Sequence, residues 1–284
     1  VAAVSTLLLA LVWGGSEYPW GSSTILGLFA ASAVLTGLFL WWEQRIEEPI
    51  LPLRLFGGRV FSTGVALSFL LGGAMFGAIV FLPLFLQVAT GASATNSGLL
   101  LLPLMAGLMT TSITSGRVIA RTGRYKRWPI AGMAIAAVGM FLLSTMEPET
   151  SRLTSSLYML VVGVGLGMVM QVLVLAVQNG AEFSDLGVVT SSVNFFRSLG
   201  GSFGVSVFGV VFATVLEDRL TKLVPAGALG GAGLNPESLT ASPDQIRALP
   251  PEVLGPVSMA MADSITTVFL LVVPSQFLRS TLES

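Results

Sequence analysis

The chain has 284 residues, 53% of them hydrophobic and 10% charged, with 14 Lys and Arg against 15 Asp and Glu and a mean hydropathy of +0.84. A soluble domain carries about 25% charged residues, so there are too few charges here to solvate a folded body, and much of the surface must face lipid. With no His and no Cys, His-based triads, thiol nucleophiles, zinc fingers, iron–sulfur clusters and His- or Cys-ligated haem are excluded, and a net charge of −1 offers no basic surface for nucleic acid.

An all-α, polytopic membrane protein follows, with no cofactor, no metal site and no enzyme chemistry expected. A crossing needs about 20 mainly apolar residues. Residues 1–13 are apolar from the start and lack the basic opening of a signal peptide, so they read as the rear of a severed helix. Residues 24–42 form a full span ending in Trp41 and Trp42, which suit an interfacial aromatic belt. Spans over 61–87, 97–115, 128–146 and 156–178 follow, then a longer one over 187–216 that begins polar. The last, over 264–278, is short and is interrupted by Pro274 and Ser275.

Lys and Arg in the short loops set the orientation. Loops 43–60 and 116–127 hold eight (Arg45, Arg54, Arg59, Arg117, Arg121, Arg124, Lys126, Arg127), and the opposite loops 14–23, 88–96 and 147–155 hold one, Arg152. The basic loops are therefore predicted to be cytoplasmic, and the first helix to run outward. Segment 217–263, predicted to lie outside, carries six prolines and reads as mostly irregular. Within it, Ser242-Pro243-Asp244-Gln245 has a capping-box pattern that predicts a short helix to about Leu249. The loop is either a plain connection or a ligand or partner site.

Ionisable groups at membrane depth default to functional hypotheses. Arg197 is the one such candidate, either snorkelling to the interface or facing inward with Thr190, Asn194, Gly201 and Gly204, which share its helix face. Gln171 and Gln178 are seven residues apart and also share a face. They line a watery cavity or bond to a neighbouring helix, since a glutamine in hydrocarbon would leave its amide unpaired. No predicted span contains Asp or Glu, so a coupling carboxylate is expected outside the chain. Glycine pairs at Gly73/Gly77, Gly163/Gly167 and Gly200/Gly204 allow close helix approach.

The run Ser115-Gly116-Arg117-Val118-Ile119-Ala120-Arg121-Thr122-Gly123-Arg124-Tyr125-Lys126-Arg127 resembles the cytoplasmic loop motif of the major facilitator superfamily, with Ala120 where the family has Asp. Two glycines there would allow a tight turn and the basic cluster would anchor it on the inner face. Pro49-Ile50-Leu51-Pro52-Leu53-Arg54-Leu55-Phe56, Leu82-Pro83-Leu84-Phe85-Leu86-Gln87 and Asn194-Phe195-Phe196-Arg197-Ser198-Leu199-Gly200-Gly201 resemble stretches of the fourteen-helix drug/proton antiporter branch.

That resemblance implies two extra central helices over 1–42, the first truncated, then a cytoplasmic linker over 43–60. A C-terminal six-helix bundle would occupy 61–278, including outer loop 217–263, with a tail over 279–284. It implies export of small amphipathic or cationic compounds by proton antiport at a bacterial plasma membrane, in partnership with a missing N-terminal six-helix half. Gln171, Gln178, Asn194 and Arg197 are the candidate pocket residues, and Gly116, Arg121, Gly123 and Arg124 the inner-loop motif. The alternative is a polytopic interaction module without transport. Because the chain has no cysteine, the orientation is directly testable. Thr90→Cys should react with an impermeant maleimide added outside intact cells and Thr122→Cys should not, and the reverse pattern overturns the topology.

Overall fold

The computed structural model describes residues 2–14, 17–46, 49, 51–90, 93–123, 125, 127–147, 149–223 and 251–280. Its helices are α1 (Ala2–Trp13), α2 (Ser23–Glu43), α3 (Arg59–Thr90), α4 (Ala94–Leu100), α5 (Leu102–Thr122), α6 (Arg127–Ser144), α7 (Arg152–Asn179), α8 (Leu186–Leu223) and α9 (Pro251–Ser280), with 3₁₀ turns at Leu53–Gly57 and Phe183–Asp185. Among the described residues, seven helical segments are long and apolar enough to cross a membrane, while Ala2–Trp13 is a shorter apolar helix. Helices are what such sequences must form, because hydrocarbon offers backbone N–H and C=O groups no partner except each other.

Local chemistry marks the helix ends. The Ser22 hydroxyl accepts from the Ile25 N–H at the start of α2, and the Ser93 hydroxyl accepts from Asn96 at the start of α4. Pro103, in the first turn of α5, cannot donate to a preceding carbonyl, which accounts for the one-residue break between α4 and α5. The hydropathic span nevertheless runs through both, Thr95–Thr122.

The last helix corrects the sequence reading in two ways. It is neither short nor broken: α9 is helical for 30 residues, straight through Pro274, and its apolar window is Val253–Val272. The 217–263 connection also shrinks from both ends, since α8 continues to Leu223 and α9 begins at Pro251. Charge misplaced these boundaries. Glu217, Asp218, Arg219 and Asp263 look like loop residues, yet Val257, Ala260, Met261 and Ile265 bury one face of α9 around Asp263. The short helix expected near 242–249 lies outside the described residues.

Two compact units emerge: Val1–Phe76 with Leu173–Val207, and Gly77–Val172 with Phe208–Ser284. In the first, α1 and α2 pair as a hairpin in which the Ser32 hydroxyl donates to the Ala3 carbonyl at 2.8 Å. Phe61, Val65, Val177, Val189 and Val193 form its apolar core, with Leu55, Phe56 and Phe196 packed against them. There α3 crosses α8 backbone to backbone. A Cβ on Gly200 would fall 1.9 Å from the Phe69 carbonyl oxygen, and one on Gly204 2.6 Å from the Gly73 Cα.

The second unit is packed the same way. Gly163 of α7 meets the Leu104 backbone of α5, and Gly165 meets Ala136 of α6, while α6 also packs along α9. Of the glycine pairs read from the sequence, Gly73 and Gly204 lie at one crossing and Gly163 and Gly167 both face α5. Outside these seams, Val34, Leu38, Trp41, Trp42, Val138, Phe141 and Leu157 are exposed, as lipid-facing residues are. Gly200→Ala should therefore lower stability in thermal unfolding of the detergent-solubilised chain by about 1–3 kcal/mol. Gly209→Ala, whose Cβ would meet nothing within 4 Å, should leave the melting temperature close to wild type.

Candidate functional site

The polar residues of the spans are placed by different neighbours. In the first unit, Gln178 near the end of α7 donates from Nε2 to the Thr190 hydroxyl of α8 at 2.8 Å, and that hydroxyl donates in turn to the Leu186 carbonyl at 2.7 Å. One amide thus ties two consecutive helices across the turn that joins them. On the next turns of α8, the Arg197 guanidinium donates to the Asn194 side-chain oxygen. Arg197 is half-buried and Asn194 exposed. The backbone of Arg197 is fixed by the glycine crossing, where its carbonyl would touch a Cβ placed on Gly72.

The stripe read along α8 therefore divides by task. Gly201 and Gly204 meet Phe76 and Gly73 of α3, Thr190 turns to α7, and Asn194 with Arg197 forms a polar pair. Gln171 belongs to the second unit, where it is exposed and its Cγ would lie 3.3 Å from a Cβ on Gly116 of α5. Gln178, Thr190, Asn194 and Arg197 thus share one unit, and Gln171 sits beside a residue of the loop motif.

That motif works differently from the reading that two glycines make a turn. Gly123 alone makes it, ending α5 in the left-handed conformation (φ 67°, ψ −1°) with its N–H on the Ile119 carbonyl at 2.8 Å. Gly116 is seven residues earlier, inside the helix, where lack of a side chain admits Gln171. Arg121 is exposed in the last turn of α5, the position where a cation complements the helix dipole. Arg124 lies outside the described residues.

Three charged contacts had no local signal in the sequence. Arg54, exposed in the linker turn, donates to the nearly buried carboxylate of Asp185 at 2.8 Å, with side-chain exposures of 63% and 7%. Glu43, 3% exposed at the end of α2, accepts from the Leu51 N–H. Asp263 sits inside α9, 3.6 Å from Arg219 of α8. It overturns the expectation that no span contains a carboxylate, because the apolar window Val253–Val272 runs on both sides of it. Among the described residues, no group of three or more acidic residues could hold a metal ion.

Comparison with known proteins places these features in a family. The model of the Major Facilitator Superfamily matches residues 1–205. An uncharacterized MFS-type transporter of Mycobacterium tuberculosis is 47% identical over 268 residues, covering 94% of this chain and 38% of its own length. The multidrug transporter protein MdtP of Bacillus subtilis is 37% identical over 290 residues, covering 95% of this chain and 53% of its own. The chain thus spans about half or less of the length of these relatives. A bacterial homolog to the human lysosomal transporter Spinster, inward-facing and unoccupied, superposes with a TM-score of 0.62 at 16% identity over 99% of this chain and 68% of its own. That likeness is one of fold.

The Gln178–Thr190 contact gives the interhelical reading of Gln178 a direct test. In a double-mutant cycle of Gln178→Ala and Thr190→Val, unfolding in mixed detergent should show coupling of about 0.6–2 kcal/mol. Strict additivity would return Gln178 to the cavity-wall reading.

Proposed function

This chain belongs to the Major Facilitator Superfamily and is a multi-pass membrane protein, and we propose that it forms the second six-helix half, with the two helices before it, of a fourteen-helix proton-driven exporter of small amphipathic or cationic compounds. What carries the reading is the ordered set of stretches from Pro49 to Gly201 that resembles the drug/proton antiporter branch. Two relatives bearing the names multidrug transporter protein and multidrug resistance protein, 37% and 34% identical over 95% of this chain, support it.

In this reading α1 and α2 are the extra central pair, residues 43–60 form a cytoplasmic linker, and the bundle runs from α3 to α9. Alternating access rocks this half against an N-terminal half around a midplane site. Asn194 and Arg197 form the polar wall nearest the inner end of α8. Proton entry is assigned to a carboxylate of the other half, because Asp263 is already engaged by Arg219.

Proteoliposomes test the proposal. With the N-terminal half supplied, an imposed pH gradient should drive efflux of a cationic dye, and a protonophore should stop it. Arg197→Ala should slow turnover while leaving dye binding near wild type. The chain alone should show no gradient-driven efflux. Robust efflux from a monomeric preparation of the chain alone overturns the two-halves mechanism, and gradient-independent behaviour of the paired halves favours the interaction-module alternative.

A further inference from the structure

At the start of α3 the first unit holds a cavity of about 230 Å³, whose lining includes Arg54, Arg59, Val60, Phe61, Val177 and Val189. Its composition is divided. The floor is apolar, with Phe61, Val177 and Val189 all buried. The rim carries two exposed guanidinium groups, Arg54 and Arg59. Arg59 is also the first residue of a helix that crosses the bilayer, so the cavity opens at a membrane–water boundary whichever way the chain is oriented. The positive end of the α3 dipole falls at the same place.

We propose that this cavity binds the headgroup of an anionic phospholipid, with the phosphate on Arg59 and Arg54 and the start of an acyl chain over Val60 and Phe61. A basic pocket between spanning helices favours such headgroups electrostatically. Among the described residues, the neighbouring charges leave the rim cationic. Asp185 pairs with Arg54 at 2.8 Å and is itself 7% exposed beneath it, so it neutralises one guanidinium and fixes its position. Glu182 follows the lining residue Ala181 and is exposed to solvent. The Arg59 guanidinium makes no hydrogen bond or ion pair with another described residue.

The apolar side of the cavity decides between a lipid and a free anion. Inorganic phosphate would use the rim and leave the valine and phenylalanine surfaces bare. A phosphate joined to an acyl chain covers both, and Val60, 48% exposed at the mouth, gives the chain a path onto the surface of α3. This site is independent of the transport reading, since it needs only that α3 spans a bilayer.

Native mass spectrometry of the purified full chain, titrated with phosphatidylglycerol or phosphatidylcholine, provides the test. Wild type should retain phosphatidylglycerol in preference to phosphatidylcholine, and Arg59→Gln should weaken that retention about fivefold. Arg59→Lys should keep most of it. Val60→Trp, which fills the mouth and spares both arginines, should weaken it as much as Arg59→Gln does, and this variant decides the matter should Arg59→Gln fail to fold. Equal retention of the two lipids by wild type, or unchanged retention in both Arg59→Gln and Val60→Trp, overturns the proposal. Displacement of the lipid by millimolar inorganic phosphate also overturns it, by assigning the rim to a free anion.

Discussion

Every feature of this chain depends on the fact that a peptide group inside hydrocarbon can bond only to another peptide group or to a side chain that the protein itself supplies. Helices meet that demand segment by segment, and the hydroxyl side chains within them follow the same rule. Ser68, Thr111, Ser192 and Ser264 each donate to the carbonyl four residues back. No buried side-chain nitrogen or oxygen among the described residues lacks a partner. Once the backbone is satisfied internally, water no longer drives the helices together, and association falls to van der Waals packing and to the few polar groups that reach across.

Packing of that kind rewards small residues. The crossings of α3 with α8, α5 with α7 and α6 with α7 all pass through glycine, at Gly200, Gly163 and Gly165, where even one methyl group would strike backbone. The polar groups then settle wherever such crossings leave them. Gln178 reaches Thr190 because α7 and α8 are consecutive and antiparallel about a short turn. Arg197 keeps its backbone in a seam while its guanidinium turns to Asn194. Charged pairs collect toward the helix ends, as Lys222 with Asp218 and Arg54 with Asp185 do, where water lowers the cost of a charge.

The sites that escaped sequence reasoning share a cause. Asp185 lies 131 residues from Arg54, and no local pattern links a turn between α7 and α8 to the linker before α3. Asp263 reads as a loop residue from sequence because a carboxylate ends an apolar run on any hydropathy scale. In the fold it is tolerated inside α9 because Arg219 of α8 stands beside it. Gly116 and Gly123 both read as turn residues because the two sit in one motif. Only the positions of neighbouring helices distinguish a glycine that reverses the chain from one that admits a side chain.

Composition alone determined that this is a membrane protein of many helices, since a tenth of the residues being charged cannot clothe a water-soluble body. Hydropathy located most of the helices to within a few residues, because the length needed to cross the bilayer is set by the lipid rather than by tertiary contacts. Ordered motifs were sufficient to indicate the family. Which polar residues meet, which glycines are seams and where the last helix begins were decided by tertiary structure alone. Those properties depend on distances between segments far apart in the chain, and a one-dimensional pattern of polarity carries no information about such distances.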